Sequence, residues 1–249
     1  MGIVSMPEVS VRDPSFMREP FPNCFSICSR AASTVREITL RANYAYLDGG
    51  SAGLHVVDIS DPERPLEIGD VETPAGACEV SIDGGYAFLG GCYFGSLAVV
   101  DISNPRVPRL LGSLDMPRAR NLTVAGDTVL VTRGYDGIEL IDVSVPTAPV
   151  TTTHIVSRGF ADGIAVAGDY AYVAEGEAGL QIIRLADAGR LERVGAAATP
   201  AAARTVAVKR DIAFVGGDWV GVLAFDVSEP TAPVEYGRRG LMFSSTDAT

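Results

Sequence analysis

Charged side chains recur in this sequence at one spacing, and their types suit acid–base and anion chemistry. Read at steps of 42 residues, one column holds Arg36, Cys78, Arg120, Asp162 and Arg204, and the column beside it holds Glu37, Glu79, Asn121, Gly163 and Thr205. Guanidinium groups present planar, fork-shaped donors that match a carboxylate, an enolate or a phosphate. Carboxyl groups crowded beside one another carry protons, because like charges and burial raise at least one pKa toward neutrality. A fold that gathers these columns makes Glu37, Glu79, Asp162 and Arg120 the acid–base set, with Arg36, Arg204, Asn121 and Cys78 as substrate-binding groups around it. A self-neutralising plug of opposite charges is the competing meaning of the same columns. Cys78 also has two meanings: a nucleophile whose pKa neighbouring arginines lower, or a small buried thiol.

The columns belong to a repeat that must position them. Residues 35–40, 77–82, 119–124, 161–166 and 203–208 align at an offset of 42, a period that means a solenoid or a propeller. Each unit holds four short apolar segments separated by Gly, Asn, Asp and Pro, at 79–82, 86–89, 97–102 and 109–114 in the second unit, with no helical 3.6 pattern. Four antiparallel strands per unit make a propeller blade. The predicted fold is all-β, a five-bladed β-propeller with blades at about 35–76, 77–118, 119–160, 161–202 and 203–244, an N-terminal extension 1–34 and a tail 245–249. The small column Thr39, Ser81, Thr123, Ala165 and Ala207 marks the first strand as the innermost, where sheets crowd the axis. Residues 233–241 align with 65–73 and fill the outer strand of the fifth blade. The extension, rich in Pro, Met and Phe, is expected to protect a sheet border as an edge strand near 25–29, with a lid or a subunit-docking arm as alternatives.

The third strand and its turn read Leu54-His55-Val56-Val57-Asp58-Ile59-Ser60-Asp61-Pro62, followed by Pro65 and Gly69, and the pattern returns at 97–105, 138–146 and 222–230. This motif resembles the LVIVD-repeat family of β-propellers. The resemblance covers five blades and most of the chain; it implies the fold and carries little about function. The fourth blade departs from it with Ile183-Arg184-Leu185-Ala186-Asp187-Ala188, losing the Asp and the Pro, so its turn is expected to be built differently. The recurring Asp58, Asp101, Asp142 and Asp226 are read as turn caps, whose carboxylates accept backbone N–H bonds, and not as catalytic groups. The hairpin signals at 83–85, 125–127 and 167–169 lie on the same rim.

The opposite rim differs in composition. Its loops carry Tyr93, Phe94, Tyr135, Phe160 and Trp219, with Arg133, whereas neither turn set contains an aromatic residue. Bulky apolar groups on exposed loops imply something to contact, so these six residues join the substrate-binding set. The chain has 20 Lys+Arg against 31 Asp+Glu, a net charge of −11, which argues against nucleic acid or an anionic membrane as partner. Strand-sized apolar runs and an N-terminus without a basic leader point to a cytoplasmic protein. Cys24 and Cys28 lack a second ligand pair, so no metal is expected, and no cofactor. His55 is expected to face outward and His154 to sit on an outer strand, neither in catalysis.

Two functions fit. The leading one is a small cytoplasmic, cofactor-independent enzyme of bacterial biosynthetic type. It binds an anionic organic small molecule at the channel mouth and works by acid–base and electrostatic catalysis, as an isomerase, cyclase, lyase or hydrolase. The alternative is a non-catalytic platform that holds a protein or carbohydrate through its aromatic rim. A homo-oligomer contact through the extension is compatible with either.

Overall fold

The computed structural model describes residues 35, 37–74, 77–91, 95–186, 190–218 and 221–239. They form five four-stranded antiparallel sheets, each with its strands in chain order. Sheet 1 holds β1 (Ile38–Arg41), β2 (Tyr44–Asp48), β3 (Leu54–Asp58) and β4 (Leu66–Val71); sheet 2 holds β5 (Ala77–Asp83), β6 (Tyr86–Gly91), β7 (Ser96–Asp101) and β8 (Arg109–Asp115). Sheet 3 holds β9 (Asn121–Ala125), β10 (Thr128–Thr132), β11 (Ile138–Asp142) and β12 (Val150–Ile155). Sheet 4 holds β13 (Ile164–Ala167), β14 (Tyr170–Ala174), β15 (Leu180–Ala186) and β16 (Arg190–Ala197). Sheet 5 holds β17 (Ala203–Lys209), β18 (Ile212–Gly217), β19 (Gly221–Asp226) and β20 (Val234–Arg239). The chain groups into two compact units, one of residues 1–127 with 143–150, the other of residues 128–142 with 151–249.

Strand alternation builds the core of each unit. In the first, Tyr46, Leu54 and Val56 of sheet 1 pack on Val80, Ile82 and Leu89 of sheet 2. In the second, Tyr172, Leu180 and Ile182 of sheet 4 pack on Ala213, Val215, Leu223 and Phe225 of sheet 5. β-Branched and aromatic residues fill these pleated, two-sided surfaces because each face must meet another sheet. The third and fourth strands of sheets 1, 2, 4 and 5 share one irregularity, a bulge between Val56 and Val57, Val99 and Val100, Ile182 and Ile183, and Ala224 and Phe225. Beside it the outer strand carries glycine. A Cβ on Gly69, Gly112 or Gly195 would lie 2.5, 2.6 and 2.0 Å from the carbonyl oxygens of Pro105, Pro146 and Pro230, so glycine there admits a neighbouring turn. At Gly237 a Cβ would meet no atom of the described residues within 4 Å.

Three expectations need comment. His55 does not face outward: it is buried, and its Nδ1 lies 2.7 Å from Glu67 Oε1 across the β3–β4 ladder. The bulge shifts Glu67 onto the His55 face, and Gly49 leaves the room the ring occupies, since a Cβ there would come 2.5 Å from Nε2. The turn of the fourth blade at 187–189 and the extension 1–34, with Cys24 and Cys28, lie outside the described residues.

Candidate functional site

In the first unit the charged columns serve strand edges. β1 and β5 are the first strands of their sheets, so each has an outer row of N–H and C=O groups without a ladder partner. Side chains from the neighbouring first strand meet that row. Buried Glu37 accepts the Val80 N–H at Oε2, 3.0 Å, and the Thr39 hydroxyl donates to Val80 O at 2.6 Å. One repeat on, Asn121 Nδ2 donates to Glu79 Oε1 at 3.3 Å. Arg120, half-buried, precedes β9. Glu37 thus stitches the start of β1 to the β5 backbone, and Asn121 stitches β9 to Glu79 of β5.

In the second unit the loops between second and third strands are pinned to the next first strand. Gly134 and Ala161 exchange backbone hydrogen bonds of 3.0 and 3.1 Å, as do Gly176 and Ala203 at 3.0 and 2.9 Å. The Gly134–Gly137 turn closes on itself, and Gly137 at φ 104° and Gly134 at φ 60° take the left-handed conformations it needs. Tyr135 stands at its tip, 76% exposed, edge-on to Phe160 with ring centroids 5.1 Å apart and an interplanar angle of 82°. Arg204 lies 5.9 Å from the centre of the same Phe160 ring. Its Nε and Nη2 donate to Asp218 Oδ2 at 3.0 and 2.9 Å, and its Nη1 is 3.8 Å from Asp162 Oδ2. The Asp218 hydrogen bond, aided by the charges of Asp218, Asp162 and Glu177, raises the Arg204 pKa. Arg133 pairs with Glu139 beneath the turn. Four predicted residues, Tyr135, Phe160, Asp162 and Arg204, therefore meet on one rim, with Asp218 as the fifth member.

The profile of the LVIVD repeat matches residues 32–73, 75–116, 158–185 and 200–239. The chain belongs to the LVIVD repeat family. Among solved structures it is similar to a functionally unknown protein from Desulfotomaculum acetoxidans, with a TM-score of 0.70 and 14% identity over 80% of this chain and 68% of that one. It is also similar to the periplasmic gluconolactonase PpgL of Pseudomonas aeruginosa, with a TM-score of 0.63 and 15% identity over 80% and 69% of the two chains. A third likeness is to the Cps50 (Swd1) β-propeller domain of Myceliophteria thermophila, with a TM-score of 0.60 and 11% identity over 76% and 64%. These likenesses establish the fold, a β-propeller. No curated protein matches the chain by sequence.

The signature carboxylates of the LVIVD repeats cap turns. Asp58, Asp101 and Asp226 each accept the N–H of the serine two residues on, at 2.9 Å. Hydrogen bonds from those serines hold all three carboxyls below their ordinary pKa. They are spent locally, on the turns. Of the other predicted residues, Arg36, Tyr93, Phe94 and Trp219 lie outside the described residues; Cys78 is in β5.

Two features escaped the sequence reading. The first is a buried ion pair behind the rim. Glu175, fully buried, holds Arg193 Nη2 at 2.7 Å and accepts the Arg158 N–H at 2.9 Å. Arg193 Nη2 also donates to Val156 O at 2.9 Å. The pair thus clamps the loop that leads into Phe160. Its signal was the opposite charge of Glu175 and Arg193, which only the β15–β16 bulge aligns. The second is a crevice of about 280 Å³ among the turns of the first unit, over Tyr86 and Phe88. In the repeat before it, Arg41 reaches the Gly84 carbonyl. The residue that repeats Arg41 is Asp83, which folds back onto the Gly84 N–H at 2.8 Å.

Proposed function

We propose that this LVIVD protein is a binding platform, and that the rim of Tyr135, Phe160, Asp162, Arg204 and Asp218 takes a neutral, hydroxyl-rich ligand, a carbohydrate. The observation that carries this reading is Tyr135, an aromatic ring exposed to water yet held in place by the Phe160 edge. A preorganised ring offers a flat apolar face at little entropic cost. Around it Arg204 supplies donors and Asp162 and Asp218 supply acceptors, the two kinds of partner a sugar hydroxyl needs. Because Asp218 and Asp162 flank Arg204, its charge is balanced, which favours a neutral ligand over an anion.

A second reading has its own observation. Buried Glu37 and half-buried Glu79 occupy the same column one repeat apart, at the start of adjacent first strands, and Arg120 stands in the neighbouring column just before β9. They are the groups for acid–base turnover of an anionic substrate, provided their stitching bonds open when substrate binds. One experiment separates the readings. A glycan array identifies ligands of the full chain, and calorimetry then compares variants. On the platform reading Tyr135→Ala weakens binding on the order of tenfold or more, and Glu37→Gln and Glu79→Gln leave it unchanged. Loss with the glutamine variants and none with Tyr135→Ala transfers the function to the first unit, and an array on which no glycan binds ends the carbohydrate assignment.

A further inference from the structure

Two neighbouring gaps of the first unit share a frame and differ by one side chain. In the gap between sheets 1 and 2, Arg41 at the end of β1 crosses over and donates to the Gly84 carbonyl. Tyr44 and Tyr46 face the same gap. The Arg41 charge is felt there: burial raises the Tyr46 pKa, and Arg41 opposes the rise. The chain thus sets a guanidinium of its own between a turn carbonyl and a pair of aromatic rings.

One repeat on, the first hairpin of sheet 2 meets the turns at 125–127 and 143–146. Tyr86 and Phe88 stand for Tyr44 and Tyr46, and Gly126 stands for Gly84. The two glycines have matching left-handed backbones, φ 52° and 58°, so both turns offer their carbonyl from the same hairpin geometry. Asp83 stands for Arg41, and it accepts the Gly84 N–H of its own turn at 2.8 Å. Over Tyr86 and Phe88 lies the crevice of about 280 Å³, and every residue lining it belongs to the first unit. That volume is just under the roughly 300 Å³ at which small-molecule pockets begin. It suits one compact group.

We propose that this crevice takes an external guanidinium group, in the place that Arg41 holds one repeat earlier. Its charged lining residues are Asp83 and Asp127, both acidic. The Gly84 N–H occupies one of roughly four acceptor sites on the Asp83 carboxylate, so acceptor capacity is left for a ligand. A planar cation can lie on an aromatic ring while its N–H fork meets carboxylate and carbonyl oxygens. An ammonium lacks that planar match. Ca²⁺ asks for about six to eight oxygen ligands, and two aromatic rings take up that part of the wall. The group can arrive on a small alkylguanidine or on an arginine side chain of another protein, and one chemistry serves both. Tyr135 and its rim belong to the other unit, so this inference stands apart from the carbohydrate reading.

The test is an amide NMR titration of the full chain with ethylguanidinium, ethylammonium and Ca²⁺, read at Gly84, Gly126 and Asp127. Saturating shifts are expected with ethylguanidinium, and weaker binding with ethylammonium. Asp127→Asn, at an exposed turn, is expected to weaken ethylguanidinium binding about fivefold. Asp83→Arg gives sheet 2 the side chain that sheet 1 has at this position. It is expected to take the crevice itself and abolish binding, while the amides of β1 to β4 stay unshifted. An end-blocked tripeptide with a central arginine identifies the source: tighter binding than ethylguanidinium assigns the group to a protein partner, equal or weaker binding to a small alkylguanidine. Shifts that never saturate with ethylguanidinium overturn the proposal. So do equal affinity for ethylammonium, tighter binding of Ca²⁺, or an ethylguanidinium affinity that Asp83→Arg leaves unchanged.

Discussion

Sheets 4 and 5 lie in the same unit and share a repeat, and they fail it in opposite ways. Sheet 4 lacks the signature aspartate, with Arg184 where the other repeats have Asp. Its face of Tyr172, Leu180 and Ile182 is nevertheless closed by sheet 5. Sheet 5 keeps the turn, Asp226 accepting the Ser228 N–H at 2.9 Å, but leaves Phe214 and Val222 open to water. The signature therefore reports how two strands are joined and says nothing of whether the sheet is covered. Packing follows from the neighbour, and identical columns are worth different amounts of free energy.

The difference sets measurable unequal costs. Leu180→Ala removes a fully buried side chain and is expected to cost about 3 kcal/mol, whereas Val222→Ala, in the same column, is expected to cost under about 1 kcal/mol. Denaturant unfolding of the two variants measures both, and equal losses would erase the distinction. A sharper pair follows from the glycines. A Cβ at Gly195 would press within 2.0 Å of Pro230 O, so Gly195→Ala is expected to destabilise by about 2 kcal/mol through overpacking. A Cβ at Gly237 meets no atom of the described residues within 4 Å, so Gly237→Ala is expected to be neutral or to gain about 0.5 kcal/mol, because alanine gives up less backbone freedom on folding. Matching losses at the two positions would mean that a neighbour presses on Gly237 as well.

The fold was legible because its signals are local. Turn residues and period-two alternation placed the second repeat's strands at 79–82, 86–89, 97–102 and 109–114, and β5 to β8 run Ala77–Asp83, Tyr86–Gly91, Ser96–Asp101 and Arg109–Asp115. Charge columns were legible too, but their partners were not. That Glu37 would accept the Val80 N–H depends on two strand edges meeting, which no single repeat records. His55 misled for a related reason. Its column holds Ala98, Glu139, Gln181 and Leu223, a tolerance that reads as exposure. In the fold this position is where a buried polar group finds a partner across the bulge, Glu67 for His55 and Arg193 for Gln181. Arg204 and Phe160 were named from their loops, but the edge-on contact of Tyr135 with Phe160 required the Gly134–Ala161 bridge.

The smallest effect expected to separate the two sheets is acid sensitivity at their turns. Asp226 has its pKa held below the ordinary 3.8 by hydrogen bonds from the Ser228 hydroxyl and N–H. A carboxyl depressed in the folded state contributes stability that is complete above the unfolded pKa and disappears as pH falls through the folded one. Protection of the Ser228 amide, followed by NMR exchange, is therefore expected to decline as pH is lowered past 3.8. Asp226→Asn should flatten that profile. The corresponding strand end in sheet 4 is anchored by the Leu185 N–H on Asp169 O at 2.8 Å, a backbone bond. No carboxylate takes part in that bond, so Leu185 protection is expected to hold steady over the same range. A common decline at Leu185 and Ser228, persisting in Asp226→Asn, would locate the acid sensitivity in the unit as a whole and remove the turn carboxylate as its source.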